Sequence, residues 1–519
     1  MKENKFFSRY LLVALALSTF PVTILYSSNF QNTNLVMYIL PLAFVYLITL
    51  IFYTFLFLFF KNKNFKNVYL FSSVFSIWVF IYGIINEKLI GYNSDIINFL
   101  GTNRFLLPIS LIILFFIFYI FNRRINEDIS KYKFILTYLI LLNIFPLVNV
   151  FYESLILIKN KSIIIEKNTN KNKFNAEGKS PNVYYIILDG YSSTSSMKKL
   201  FNFNNSDFNL NLENIGFKIQ SNSKSNYCRT NFSLSSTLNL NYIQNITNKK
   251  LFETDLNTYI SDNLVLKFFR NKNYKYFLFD SGFGMKKKYE SDEILVKSNN
   301  VFLSKFFSTS DNDLYSVFIN NSIFKILNSN LIGNISVKNY SSKVLNVFEK
   351  LPLIAKNKNK KFVFAHIISP HPPFLFNEYG IINEYGYDTQ DKLWDRKLYF
   401  DQLKFINKEI VKMVRQIIIN DKNDKIIIIQ GDHGSRILPE NNKLSTNQNW
   451  VEERFSNFNA IYVSNNLIYK KSLENEWDKT SVNTFRIIFN KIFNSNFQLL
   501  SDKLYYSDLK QPYNFILIK

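Results

Sequence analysis

Three histidines occur in the 519-residue chain, and all three follow or close short apolar runs. His433 stands in "KIIIIQGDHGSRI", Lys425 to Ile437, where four isoleucines run into Gly-Asp-His-Gly. His366 and His371 stand in "KFVFAHIISPHPPF". A third run, "PNVYYIILDGYSS", starts at Pro181 and ends in Asp189-Gly190. Unbroken apolar runs of this kind read as strands buried on both faces. Scarce chemistry gathered at strand ends suggests a site. A fourth stretch, "SNYCRTNFSLSSTLNLNYI", places Thr230 ahead of a run in which Phe232, Leu234, Ser235, Leu238 and Tyr242 share a helix face. Free N–H groups and the dipole at a helix start favour an anion such as phosphate. Threonine is also an ordinary cap at that position.

The elements that must hold these residues follow from periodicity. "YKYFLFD", "KFVFAH" and "KIIIIQGD" are strands, and helical stretches separate them. "NLNLENIGFKIQ" reads as a helix closed by Gly216 and followed by another strand. Lys397 to Ile419 carries apolar residues at helical spacing. Alternating strands and helices predict an α/β domain, a mostly parallel sheet with helices on both faces. Ligands of such sheets bind beyond the carboxyl ends of the strands. Asp189, His366 and the Asp432-His433 pair fall there.

Composition divides the chain. Hydrophobic residues make up 47% and aromatics 17%, with 54 Phe and 32 Tyr. The apolar excess crowds into the first 160 or so positions, which predicts an N-terminal multi-span α-helical membrane domain. Its five candidate spans are Leu11–Tyr26, Leu35–Phe60, Val68–Ile85, Phe105–Phe121 and Phe134–Ile158. Lysines and arginines precede the first run and follow the second and fourth. The positive-inside rule then places the N-terminus in the cytoplasm, and five spans carry the C-terminal half outside. The expected organisation is a transmembrane domain over 1–158, a polar linker over 159–180 and a catalytic domain over 181–519. The net charge of +23, from 62 Lys and Arg against 39 Asp and Glu, comes without a nucleic-acid-binding motif, so no nucleic-acid partner is expected. The single cysteine, Cys228, excludes an intramolecular disulfide.

Taken in order, Asp-Gly after the first strand, Ser-Asn-Tyr-x-x-Thr at a helix start, "HIISPHPPF" and "GDHG" resemble the sulfatase-like members of the alkaline phosphatase superfamily. The pattern is similar to the membrane-anchored branch, with lipoteichoic acid synthases and phosphoethanolamine transferases. This resemblance implies that Asp189, Asp432, His433 and the Thr230 oxygen bind one divalent ion: zinc, manganese or magnesium. It implies Thr230 as nucleophile, His371 at the substrate phosphate or leaving group, His366 in an assisting role, and Arg229 as a phosphate clamp or surface residue. Cys228 is the rival nucleophile, since sulfatases convert a cysteine in Cys-x-Pro-x-Arg. Here the sequence is Cys-Arg-Thr-Asn-Phe, with neither that Pro nor that Arg in place. Glu453, Arg454, Asn483 and Arg486 read as structural. The function implied is transfer of a phosphoglycerol- or phosphoethanolamine-type group, through a phospho-threonine, from a membrane phospholipid to a surface glycan or lipid. The catalytic domain would lie outside the cytoplasm on an integral membrane protein. A phosphate- or sulfate-ester hydrolase with the same site, or an inactive membrane scaffold, are the alternatives.

Overall fold

A computed structural model describes residues 2–28, 35–60, 68–90, 95–124, 137–152, 180–246, 253–279, 281, 293–295, 318, 321–327, 333–382, 394–439, 447–467, 470–508 and 513–518. The chain forms two compact units, residues 1–169 with 300–336, and residues 170–299 with 337–519. The expected linker, apart from Ser180, lies outside the described residues.

The first unit is helical. Lys2–Ser28, Leu35–Phe60, Val68–Ile90, Asp95–Gly101 and Asn103–Arg124 are helices, and 137–152 is helical too. Counting only described residues, no helix is long and apolar enough to cross a membrane. The unit's buried apolar cluster, with Val22, Val45, Trp78 and Phe80, is interleaved with small polar residues, and large apolar side chains also face outward. Ser18, Thr23, Thr49, Ser72 and Ser76 are buried, while Ile112, Phe115, Phe116 and Phe145 stand exposed. The buried hydroxyls bond between helices: Thr49 Oγ1 to Ser76 Oγ at 3.0 Å, and Thr23 Oγ1 to Asn143 Oδ1 at 3.4 Å. Residues 300–336, inside the expected catalytic domain by sequence order, group with these helices. Phe318 packs with Phe44 and Phe80, and Ile323 N–H donates to Val79 O at 2.7 Å.

The second unit is built on a seven-stranded sheet in the order β2-β7-β6-β1-β5-β3-β4. The strands are β1 (Asn182–Leu188), β2 (Phe217–Ile219), β3 (Lys275–Phe279), β4 (Glu293–Leu295), β5 (Lys361–Ile367), β6 (Lys425–Gly431) and β7 (Asn459–Val463). From β6 through β4 every pairing is parallel, as the apolar runs predict. The sheet is nevertheless mixed, because β7 runs antiparallel to both β6 and β2. β1, β5 and β6 are buried at every position. Alternate residues serve two faces. Tyr184, Ile186 and Leu188 join one core with Leu403, Ile406 and Ile410 of the Arg396–Asn420 helix. Val183, Tyr185 and Ile187 join the other with Leu234 and Leu238 of the Thr230–Leu238 helix and Phe485, Ile488 and Phe489 of the Thr484–Phe493 helix. Helices therefore cover both faces, and the strand ends are left for chemistry.

Candidate active site

Strand register assembles the site. Leu188 of β1 pairs with Gly431 of β6, so Asp189 and Asp432, each the next residue, emerge side by side. Ile187 pairs with His366 of β5, which brings that imidazole in beside Asp189. Gly190 adopts φ +68°, a conformation open to glycine at little cost, and its N–H donates to Asp432 Oδ1 at 2.9 Å. His433 N–H donates to the same oxygen at 2.9 Å. The turn closes against the Gln448–Phe455 helix at Gly434, where a Cβ would sit 1.8 Å from Glu453 O. Ser233 Oγ donates to Asp432 O at 2.6 Å and ties the Thr230–Leu238 helix to the same turn.

The remaining contacts fix tautomers. His366 Nε2 donates to Asp189 Oδ2 at 3.0 Å. His433 Nδ1–H donates to Gly434 O at 2.7 Å, so its Nε2 presents a lone pair. That Nε2 accepts from Thr230 Oγ1 at 3.2 Å. It also lies 3.7 Å from Asp189 Oδ1 and 3.4 Å from Asp432 Oδ2. Both of those oxygens are buried without a hydrogen-bond partner. Two orphaned carboxylate oxygens, a lone pair and a hydroxyl facing one another are a donor set that fits a divalent cation. Asp189, His366 and Asp432 offer another grouping, with ligand atoms within 4.8 Å of one another. His366, however, faces the Asp189 oxygen that is already hydrogen-bonded.

Electrostatics tell the same story. Burial, reinforced by Asp189, pushes Asp432 up to about 7. Burial alone would raise Asp189 as well, but His371, His366 and His433 hold it well below the usual carboxylate range. Burial, with Arg436, pushes His433 down to about 4, and burial also lowers His371. Around neutrality the imidazoles of His433 and His371 are thus unprotonated.

His371 joins the group through its backbone N–H, which donates to Asp189 O at 3.0 Å. Its Nδ1–H donates to Pro372 O at 2.5 Å, and its ring meets Trp394 edge to face at 5.0 Å between centroids. Thr230 is the first residue of its helix and is buried. The Arg229 guanidinium lies over the Phe232 ring, 5.8 Å from its centre. Cys228 packs with Trp450, Phe455 and Leu504, and burial pushes its thiol up, the opposite of an activated nucleophile. Glu453 Oε1 accepts from Ser435 Oγ at 2.8 Å and from the Ile437 and Leu438 N–H groups, which secures the chain beyond the Asp-His pair. Asn483 and Arg486 hold backbone carbonyls of Leu500, Leu240 and Gln498. Trp394 and Arg436, both at the site, carry no sequence signal, because neither belongs to a motif or a periodic face.

Residues 221–475 match the family model described as sulfatase. No curated protein matches the chain. Among solved structures, the C-terminal periplasmic domain of EcEptC from Escherichia coli is similar at 10% identity, covering 66% of this chain and 94% of that one, TM-score 0.41. The integral membrane protein lipooligosaccharide phosphoethanolamine transferase A (EptA) from Neisseria meningitidis covers 93% and 95% at 10% identity, TM-score 0.39. Phosphonate monoester hydrolase of Agrobacterium radiobacter covers 64% and 82% at 11% identity, TM-score 0.37.

Proposed function

We propose that the chain is a sulfatase-like enzyme of the alkaline phosphatase superfamily and, between a phospho-group transferase and a hydrolase, that it is the transferase. It moves a phosphoglycerol- or phosphoethanolamine-type group from a membrane phospholipid to a surface glycan or lipid. The observation that carries this reading is the Thr230 hydroxyl, 3.2 Å from the His433 lone pair and beside two carboxylate oxygens that have no partner. Asp189, Asp432, His433 and the Thr230 oxygen would hold one divalent ion, which when bound lowers a hydroxyl pKa and neutralises phosphoryl oxygens.

This chain's own groups do the rest. The Thr230 oxygen forms a bond to phosphorus as the donor's phosphate ester bond breaks. The threonine proton is given up and the departing diacylglycerol alcohol gains one, so the proton count balances. His371, unprotonated at Nε2 because Nδ1–H is held by Pro372 O, suits that exchange. In the second half the acceptor hydroxyl loses its proton to the same imidazole and attacks the phospho-threonine. Thr230 then recovers its hydroxyl. His366 orients Asp189 through the Oδ2 hydrogen bond.

The helical unit supports a lipid donor. Buried hydroxyls that pair between helices beside the apolar core, and large apolar side chains facing outward, suit a bundle solvated by hydrocarbon, where buried polar groups must pair within the protein. Leu35–Phe60 has 26 residues with no charged side chain. We therefore assign 1–158 to a membrane domain, 159–180 to a tether and 181–519 to an extracytoplasmic catalytic domain. The deciding experiment incubates purified full-length protein with head-group-labelled phospholipids, with and without a sugar acceptor. Label carried to the acceptor supports transfer. Release of the label only into water would establish the hydrolase instead.

A further inference from the structure

The turn that carries Asp432 and His433 also delivers a cation. Arg436 follows His433 by three positions, and its Nη2 donates to Cys228 O at 2.9 Å. Cys228 precedes Thr230 by two residues, so the side chain reaches from the Asp-His turn to the start of the nucleophile's helix. Its charge is felt at both His433 and His371, where it opposes protonation. Other arginines nearby rest on aromatic rings: Arg229 over Phe232 and Arg454 over Trp450. Arg436 is half-buried, and among the described residues no carboxylate pairs with it. One neutral carbonyl uses a single donor of a fork that has five. A guanidinium held at a nucleophile without an acid to neutralise it is matched to an anionic ligand with several oxygens.

Resting on the phospho-transfer reading, we propose that Arg436 binds a non-bridging oxygen of the substrate's phosphoryl group. The bond to Cys228 O holds the guanidinium two residues from Thr230 along the chain. The helix start supplies further N–H donors to the same anion. The plain alternative is that Arg436 only props the segment around Cys228. Arg436→Gln separates the two, because an amide can still donate to that carbonyl while the charge is lost. Arg436→Lys keeps the charge and loses the fork.

The test measures binding of inorganic phosphate to metal-loaded full-length protein by calorimetry, alongside turnover of bis(4-nitrophenyl) phosphate. Arg436→Gln should weaken phosphate about 10- to 100-fold, the range of a charge-assisted hydrogen bond, and Arg436→Lys should recover most of that loss. The Michaelis constant for the diester should rise in step. Phosphate binding by the Gln variant within about twofold of wild type would overturn the proposal. So would a wild-type protein that turns over the diester yet binds no phosphate. Phosphate binding that depends on Arg436, without any turnover, would keep the anion site and sink the transferase reading instead.

Discussion

Replacing Gly434 with alanine tests whether the Asp-His turn needs its close seat on the Gln448–Phe455 helix. The new Cβ would lie 1.8 Å from Glu453 O and 2.8 Å from Ser456 O, both backbone atoms that cannot swing aside. Cβ atoms essentially never approach within 3.0 Å, so turn and helix must part by more than 1 Å. The 3.0 Å hydrogen bond from Gly434 N–H to Arg454 O is lost with that movement. Overpacking of this kind costs about 1–3 kcal/mol. The lost bond adds about 1 kcal/mol. The catalytic cost is larger, because Gly434 follows His433 directly and its carbonyl holds the His433 ring. A misplacement of about 1 Å is worth roughly 100-fold in rate. Gly434→Ala should therefore lower turnover about 100-fold and weaken metal binding, while the domain melts only moderately earlier. The assays are diester turnover, metal titration and thermal melting on the same preparation. Ser435→Ala is the control, since it removes the bond to Glu453 Oε1 without adding an atom and should cost about 1 kcal/mol. Wild-type turnover and metal affinity in Gly434→Ala would refute the idea that this contact positions the site.

Thr230→Ala should lose on the order of 10⁴-fold in turnover, the scale seen when one member of a catalytic unit is removed. Thr230→Ser should retain much of it, and a phosphorylated Thr230 peptide should appear in mass spectra of protein given donor without acceptor. Metal binding should displace the proton that Asp432, raised to about 7, retains in the metal-free site. Apparent affinity should then climb about tenfold per pH unit from about pH 5 to 7 and level off above. His433, pushed down to about 4, is neutral across that window and contributes no second proton; affinity that stays flat there would show Asp432 already ionised. Cys228→Ser should leave turnover within a few-fold of wild type, and the native thiol should react with maleimide about 100-fold more slowly than the denatured one, because burial keeps it protonated. A reporter fused after Lys519 should be active only outside the cytoplasm; activity inside would remove both the five-span topology and the proposed donor leaflet.

Most of the strand ends were legible because the sequence concentrates its rare chemistry there. Four isoleucines ahead of Asp432-His433 marked β6, and the run ending at Asp189 marked β1. Helix starts were legible where a polar residue precedes a periodic face, as at Thr230. The antiparallel β7 was not, because "NAIYV" carries no sign of direction, and direction is settled by how the chain returns to the sheet. Nor was the grouping of residues 300–336 with the helical unit, which depends on where Phe318 and Ile323 find apolar partners. At the candidate site, the sequence singles out the histidines but not their tautomers. These follow from carbonyls of Gly434 and Pro372, and backbone carbonyls leave no trace in residue identity. Arg436 and Trp394 escaped for a similar reason: they act through where a loop places them.

Strand register explains why the far end of the sheet matters to the chemistry. β1, β5 and β6 are apolar on both faces, so a slip between them would not expose any face to water, and the usual in–out pattern cannot specify their alignment. A polar cluster at their opposite ends can. Asn182 Nδ2 donates to both Asp421 oxygens at 3.0 and 2.8 Å, and Tyr184 OH donates to Asp421 Oδ2 at 2.6 Å. Lys361 N–H donates to Asn182 Oδ1 at 3.0 Å, and the fully buried Lys361 Nζ lies 3.6 Å from Asp421 Oδ2. The group therefore links β1, the first residue of β5 and the residue that ends the helix leading into β6. Slipping either strand would leave a buried ammonium or carboxylate unpaired, at about 3–5 kcal/mol. An ion pair that contributes little to net stability thus acts through specificity. It fixes Leu188 opposite Gly431, and with that alignment Asp189 and Asp432 leave the sheet together, near enough to share one ion.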